Sequence, residues 1–155
     1  VWAFGLTRPE VQAIARASGL APGEFTVRDQ AAPGILAAAR AVHPALAGVM
    51  PGGRRLRLEL TGAGECFFLG PRGCRLPRQA RPLFCRLYPV FVDARGRLAL
   101  MADAGCLAQA GGAGPRRVLA RLGGAPARTR RLMARLVAWA RAGGGLDPGA
   151  GAWYS

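Results

Sequence analysis

The sequence predicts a small α+β domain: two β-hairpins at the centre, flanked by helices. Three observations carry that expectation. Capping and staple residues open a helix near the start. Alternating apolar and charged residues then give a period of two from Arg55 to Leu60. Apolar residues return to a helical spacing late in the chain. With 155 residues, about half of them hydrophobic, the chain suits one modest core.

The first helix is announced by Leu6-Thr7-Arg8-Pro9-Glu10-Val11. Thr7 can cap it, Glu10 three residues later completes a capping box, and Leu6 with Val11 forms a hydrophobic staple. Pro9 falls in the first turn, where no amide donor is missed. Val11, Ile14 and Ala15 share one face, and Gly19 ends the helix. A second, alanine-rich helix is expected from Pro33 to Val42, broken by His43-Pro44 and by Pro51-Gly52-Gly53. Leu56, Leu58 and Leu60 alternate with Arg55, Arg57 and Glu59 as a half-buried strand. Thr61-Gly62-Ala63-Gly64 turns it, and Cys66-Phe67-Phe68-Leu69 returns as its hairpin partner. Val90-Phe91-Val92 and Leu98-Ala99-Leu100 flank Asp93-Ala94-Arg95-Gly96 as a second hairpin, with Gly96 in the left-handed position. After the linker-like 111–114 come a short helix from Pro115 and a longer one from Pro126. The apolar face of the longer one is Leu132, Met133, Leu136, Val137 and Ala140. The expected division is a domain over 1–110, a helical extension over 111–142 and a loose glycine-rich tail over 143–155. No internal repeat is present.

All 22 basic residues are arginine, and the net charge is +14. Such a charge can attract nucleic acid or an anionic membrane. The arginines are dispersed, aromatics are few, and lysine and asparagine are absent, a pattern that fits a GC-rich coding sequence. Nucleic-acid binding is therefore not the favoured reading. No apolar run approaches the ~20 residues that span a bilayer, so no membrane role is expected. The opening residues lack the pattern of a secretory signal, and a cytoplasmic location follows as the expectation.

The chemistry lies in four cysteines, spaced Cys66-x7-Cys74-x10-Cys85-x20-Cys106. No pair has the C-x2-C spacing of a zinc knuckle. Buried apolar fillers, two disulfides, a nucleophile and a metal site all fit the count. Arg72, Arg75, Arg78, Arg81 and Arg86 surround Cys74 and Cys85 in sequence, and nearby cations favour the thiolate that binds metal. Four thiolates around Zn²⁺ or a 4Fe–4S cluster leave a charge that arginines such as Arg75, Arg81 and Arg86 can offset. Pro82 suits the first residue of a helical turn, which sets Cys85 near the positive end of its dipole. The wide spacing lacks the short chelate loops of structural zinc, which favours the cluster slightly. His43, the one histidine, sits before a proline at a helix end, and a loop aspartate, Asp103, precedes Cys106. Trp2, Trp139 and Trp153 read as packing or tail residues.

Cys66-Phe67-Phe68-Leu69, Gly73-Cys74-Arg75-Leu76 and Arg81-Pro82-Leu83-Phe84-Cys85-Arg86-Leu87-Tyr88-Pro89 together resemble the YkgJ-type cysteine-cluster family. Its members are described as zinc- or iron-chelating. Cys106 sits where that family has a further cysteine, and Leu6-Thr7, Glu10 and Phe25 resemble its opening helix. The resemblance runs over about residues 4–107. It implies chelation through Cys66, Cys74, Cys85 and Cys106. It also implies a further cysteine cluster upstream of the opening helix, so a chain starting at Val1 is expected to hold metal less firmly than a longer one. A related pattern in flagellin lysine-N-methylases gives a cluster-dependent methylase as the enzyme alternative.

Overall fold

The computed structural model describes residues 5–101 and 106–142. Helix α1 (Arg8–Ser18) carries the full capping box, with Thr7 Oγ1 accepting from Glu10 N and Glu10 Oε2 from Thr7 N, both at 2.9 Å. Gly19 closes it in the left-handed conformation (φ 74°). Strand β1 (Thr26–Gln30) follows, then α2 (Pro33–Val42), a 3₁₀ turn Pro44–Val49, and β2 (Arg54–Leu58).

β2 does not form its ladder with the cysteine-bearing segment, as the alternating pattern suggested. It pairs antiparallel with β1, from Thr26 opposite Leu58 to Gln30 opposite Arg54. The sequence reading left 26–30 outside the sheet. Charge fixes this ladder: Asp29 accepts from Arg55 Nε at 2.6 Å and from Arg57 Nε at 2.5 Å. That pairing explains why Arg55, expected on the wet side, is only 6% exposed. Burial alone would raise the Asp29 carboxyl, but the hydrogen bonds and charges of Arg55 and Arg57 outweigh it and hold Asp29 below its ordinary value.

Only a single bridge, Leu60 opposite Cys66, survives of the expected first hairpin. Beyond it the chain makes a short ladder of β3 (Leu69–Gly70) with β4 (Gly73–Cys74). Helix α3 (Leu83–Leu87) comes next, then β5 (Val90–Val92) paired with β6 (Leu98–Leu100) as the sequence indicated, Gly96 at φ 78°. Helices α4 (Pro115–Arg121) and α5 (Pro126–Arg141) complete the described chain. The expected tail over 143–155 lies outside the described residues.

The apolar residues gather into clusters. The largest joins Ala39 of α2, Leu46 and Val49, Phe84 and Leu87 of α3, Phe91 of β5, and Leu132, Met133, Leu136 and Ala140 of α5. A second joins Val11 and Ile14 of α1, Phe25, Leu56 and Leu58 of β2, Phe68 and Leu76. Cys66 and Cys74 pack against this second cluster. A third, small one sets Val90 against Ala113, Val118 and Leu119.

Close backbone approach seats α5 on the 44–49 turn. A Cβ on Gly48 would stand 2.5 Å from the carbonyl oxygen of Ala140. Gly48→Ala is therefore expected to push α5 outward and lower stability by about 2 kcal/mol. Urea titration checks this: the midpoint should fall with an unchanged slope. An unshifted midpoint would show that the contact relaxes freely.

Candidate metal site

Cys66 follows the turn closed by Gly64 (φ 75°), which returns Glu65 N–H to Thr61 Oγ1 at 3.3 Å. Phe67 N donates to Glu59 O at 3.0 Å and Leu69 N to Cys66 O at 2.8 Å, so the chain curls around the cysteine instead of running on as a strand. The amides of Phe68 and Leu69 bond to the Cys66 sulfur and favour its thiolate. Burial acts against them and is stronger, and a charge on Cys74 adds to it. The Cys66 thiol is therefore raised.

Cys74 lies on β4 opposite Leu69. Two arginines hold its loop. Arg75 sends Nη2 to Phe67 O at 2.5 Å and lays its guanidinium over the Phe67 ring, 5.7 Å from the centroid, which ties the Cys66 and Cys74 segments together. Arg81 spans the loop from the other side, with Nε to Leu76 O at 2.9 Å and Nη2 to Cys74 O at 3.2 Å.

Cys85 is the third residue of α3, whose N-cap is Pro82 and which Tyr88, joined to Pro89 by a cis bond, ends. The start of α3 is held by a residue 73 positions earlier in the sequence: Leu83 N donates to Glu10 Oε1 at 2.6 Å. Glu10 thus caps α1 with one carboxyl oxygen and α3 with the other. Cys85 keeps solvent-exposed surface, yet protein atoms crowd its sulfur. That crowding, followed by charge on Cys66, Cys74 and Glu10, pushes its thiol up to about 12.

The arginine surround therefore does not give the low thiol values that the sequence suggested. Arg75 lowers Cys66 and Arg81 lowers Cys85, but burial and the neighbouring thiolates prevail. The guanidinium groups of both arginines are committed to backbone carbonyls. The charges that bear most on Arg86 are Arg135, Arg128, Arg78 and Glu10, not a cysteine.

Cys66, Cys74 and Cys85 thus lie within electrostatic reach of one another. Cys106 is half-buried and precedes the 3₁₀ turn Leu107–Gln109, which Gln109 Nε2 pins to Met101 O at 2.9 Å. The charges bearing most on Cys66 and Cys85 do not include it. All four cysteines are free thiols. Among the described residues, no group of three or more His, Cys, Asp or Glu side chains is arranged to hold a metal ion.

The remaining sequence candidates have structural partners or lie beyond view. His43 Nδ1 accepts from Ala45 N at 3.2 Å and caps the 44–49 turn. Trp139 packs, partly buried, on the largest cluster. Asp103, Trp2 and Trp153 fall outside the described residues. No described helix is long and apolar enough to cross a membrane. An open depression of about 550 Å³, lined by Arg97, Arg116, Arg117 and Arg130, lies beside β6 and α4, away from the cysteine-bearing loops in the chain. Comparison with protein-family models, curated proteins and solved structures finds no match to this chain.

Proposed function

We propose that this chain is a metal-chelating protein that holds zinc or an iron–sulfur cluster through Cys66, Cys74, Cys85 and Cys106, with a 4Fe–4S cluster as the favoured occupant. One observation carries the reading. Three thiols far apart in sequence are near enough that charge on Cys74 raises Cys66, and charge on Cys66 and Cys74 raises Cys85. Without a cation the raised Cys66 and Cys85 thiols keep their protons; a bound metal reverses the sign and takes the thiolates directly. The amides of Phe68 and Leu69 at Cys66 suit a charged sulfur and supply the hydrogen bonding that tunes such centres. Free thiols also fit a reducing compartment such as the cytoplasm. Cys106, beside residues 102–105, is the fourth ligand in this reading.

Anaerobic purification followed by reconstitution with iron and sulfide tests it. A brown protein with broad visible absorbance, bleached by dithionite, is the expected result. A colourless protein retaining one zinc per chain would keep chelation and replace the cluster. Failure to retain either metal would overturn the proposal.

A further inference from the structure

Arg86 presents a problem that the thiolate site does not solve. Its Nε is buried and has no hydrogen-bond partner. Leaving a buried donor unpaired is costly, and more so for a charged group. The surroundings make the cost worse, because Arg78, Arg128 and Arg135 all bear on the same guanidinium. None of these four side chains takes part in a salt bridge or hydrogen bond among the described residues. The carboxylate that bears most on Arg86 is Glu10, and both of its oxygens accept backbone amides.

One helix contact and one short stretch of chain bring the four cations near one another. Helix α3 packs against α5, which sets Arg86 against the face carrying Arg128 and Arg135. These two stand seven residues apart, about two helical turns, and so share a side of α5. Arg78 belongs to the 3₁₀ turn Arg78–Ala80 just before α3. Like charges gathered at a packed junction repel one another unless an anion sits among them.

We propose that Arg78, Arg86, Arg128 and Arg135 form a binding site for a phosphate-type oxyanion, seated against the buried Nε of Arg86 where α3 meets α5. A tetrahedral dianion presents oxygens in several directions and can accept from several guanidinium forks at once, which a single carboxylate cannot. The ligand is a small or terminal phosphoryl group, because it must reach a buried nitrogen. The site is separate from the thiolates and does not depend on the metal reading.

Calorimetric titration of the full chain with inorganic pyrophosphate, at constant ionic strength in chloride, tests this. One site per chain is expected, with a shift of the Arg86 Nε–H resonance on binding. Arg86→Gln and Arg135→Gln should each weaken binding by about tenfold or more. Arg135 is exposed, so its variant remains informative if Arg86→Gln impairs folding. Arg117→Gln, in the other arginine-lined depression, should leave affinity unchanged. Several weak sites per chain, or equal losses at Arg117 and Arg135, would overturn the proposal. So would tighter binding of a single-stranded RNA that depends on both arginine groups, since that describes a diffuse nucleic-acid surface.

Discussion

Serine at Cys66, Cys74 or Cys85 is expected to abolish stoichiometric metal binding, and with it the stabilisation that metal confers. A thiophilic ion that binds only the folded chain adds its binding free energy to folding, about 10 kcal/mol or more for structural zinc. Losing one of three clustered thiolates removes most of that contribution. Serine at Cys106 should cost less, because Cys106 is not among the charges that bear most on Cys66 and Cys85. In the metal-free state the four variants should unfold close to the parent. Protein atoms crowd the Cys85 sulfur, so serine there should cost about 1 kcal/mol, small beside the metal's contribution. Thermal unfolding with and without chelator, alongside metal analysis, separates the two contributions. A Cys85→Ser protein that still bound one equivalent and still responded to chelator would remove Cys85 from the site.

Glu10→Ala is expected to lower stability by about 3 kcal/mol, a large effect for one partly buried carboxylate. It removes the reciprocal cap of α1 and leaves the Leu83 amide without its acceptor. The carboxyl also makes a distinctive contribution to pH dependence. Burial raises it above its ordinary value, outweighing the amides of Leu83 and Thr7, the Thr7 side chain and the charge of Arg86. A carboxyl raised in the folded state holds its proton more tightly there than when unfolded. Its contribution is greatest below the ordinary value of about 4.5, and falls as pH rises through the raised value. Asp29 and Asp93 are lowered, so their contributions run the other way and weaken in acid. The comparison to make is therefore with Glu10→Gln. The parent's stability relative to this variant should decline as pH is raised from about 4.5. A constant difference would show that Glu10 titrates as it does in the unfolded chain.

Local chemistry made some elements legible in the sequence. The Thr7–Glu10 box, Pro33 at the head of α2, the Asp93–Gly96 turn and the apolar face of α5 each rest on neighbouring residues, and the structure has them as read. The β1 strand was not legible. Thr26-Val27-Arg28-Asp29-Gln30 has little strand character, and its ladder depends on Arg55 and Arg57 meeting Asp29 across the sheet. Cys66-Phe67-Phe68-Leu69 reads as a strand by composition, but the Leu69 to Cys66 backbone bond bends it after one bridge. At the site, sequence spacing identified the cysteines without saying which would gather. The arginine-rich context suggested activated thiols because spacing does not reveal that Arg75 and Arg81 are taken up by carbonyl oxygens. Glu10 was visible as a cap for its own helix. Its second oxygen serves an amide 73 residues later, which no local pattern encodes.

That second bond bears on the order in which the protein assembles as it is made. Helix α3 has only five residues, too few to persist alone in water. Its first amide waits for a carboxylate that the ribosome has released long before. Synthesis from the amino end delivers α1 first, with its cap intact, and the emerging Leu83 then docks on a finished helix. Packing of α3 against α5, made later, then completes the placement of Cys85. The start of the turn that carries Cys85 thus has its acceptor on an element made before it. A permuted chain with α1 at its carboxyl end would leave the Leu83 amide without its acceptor until synthesis was over.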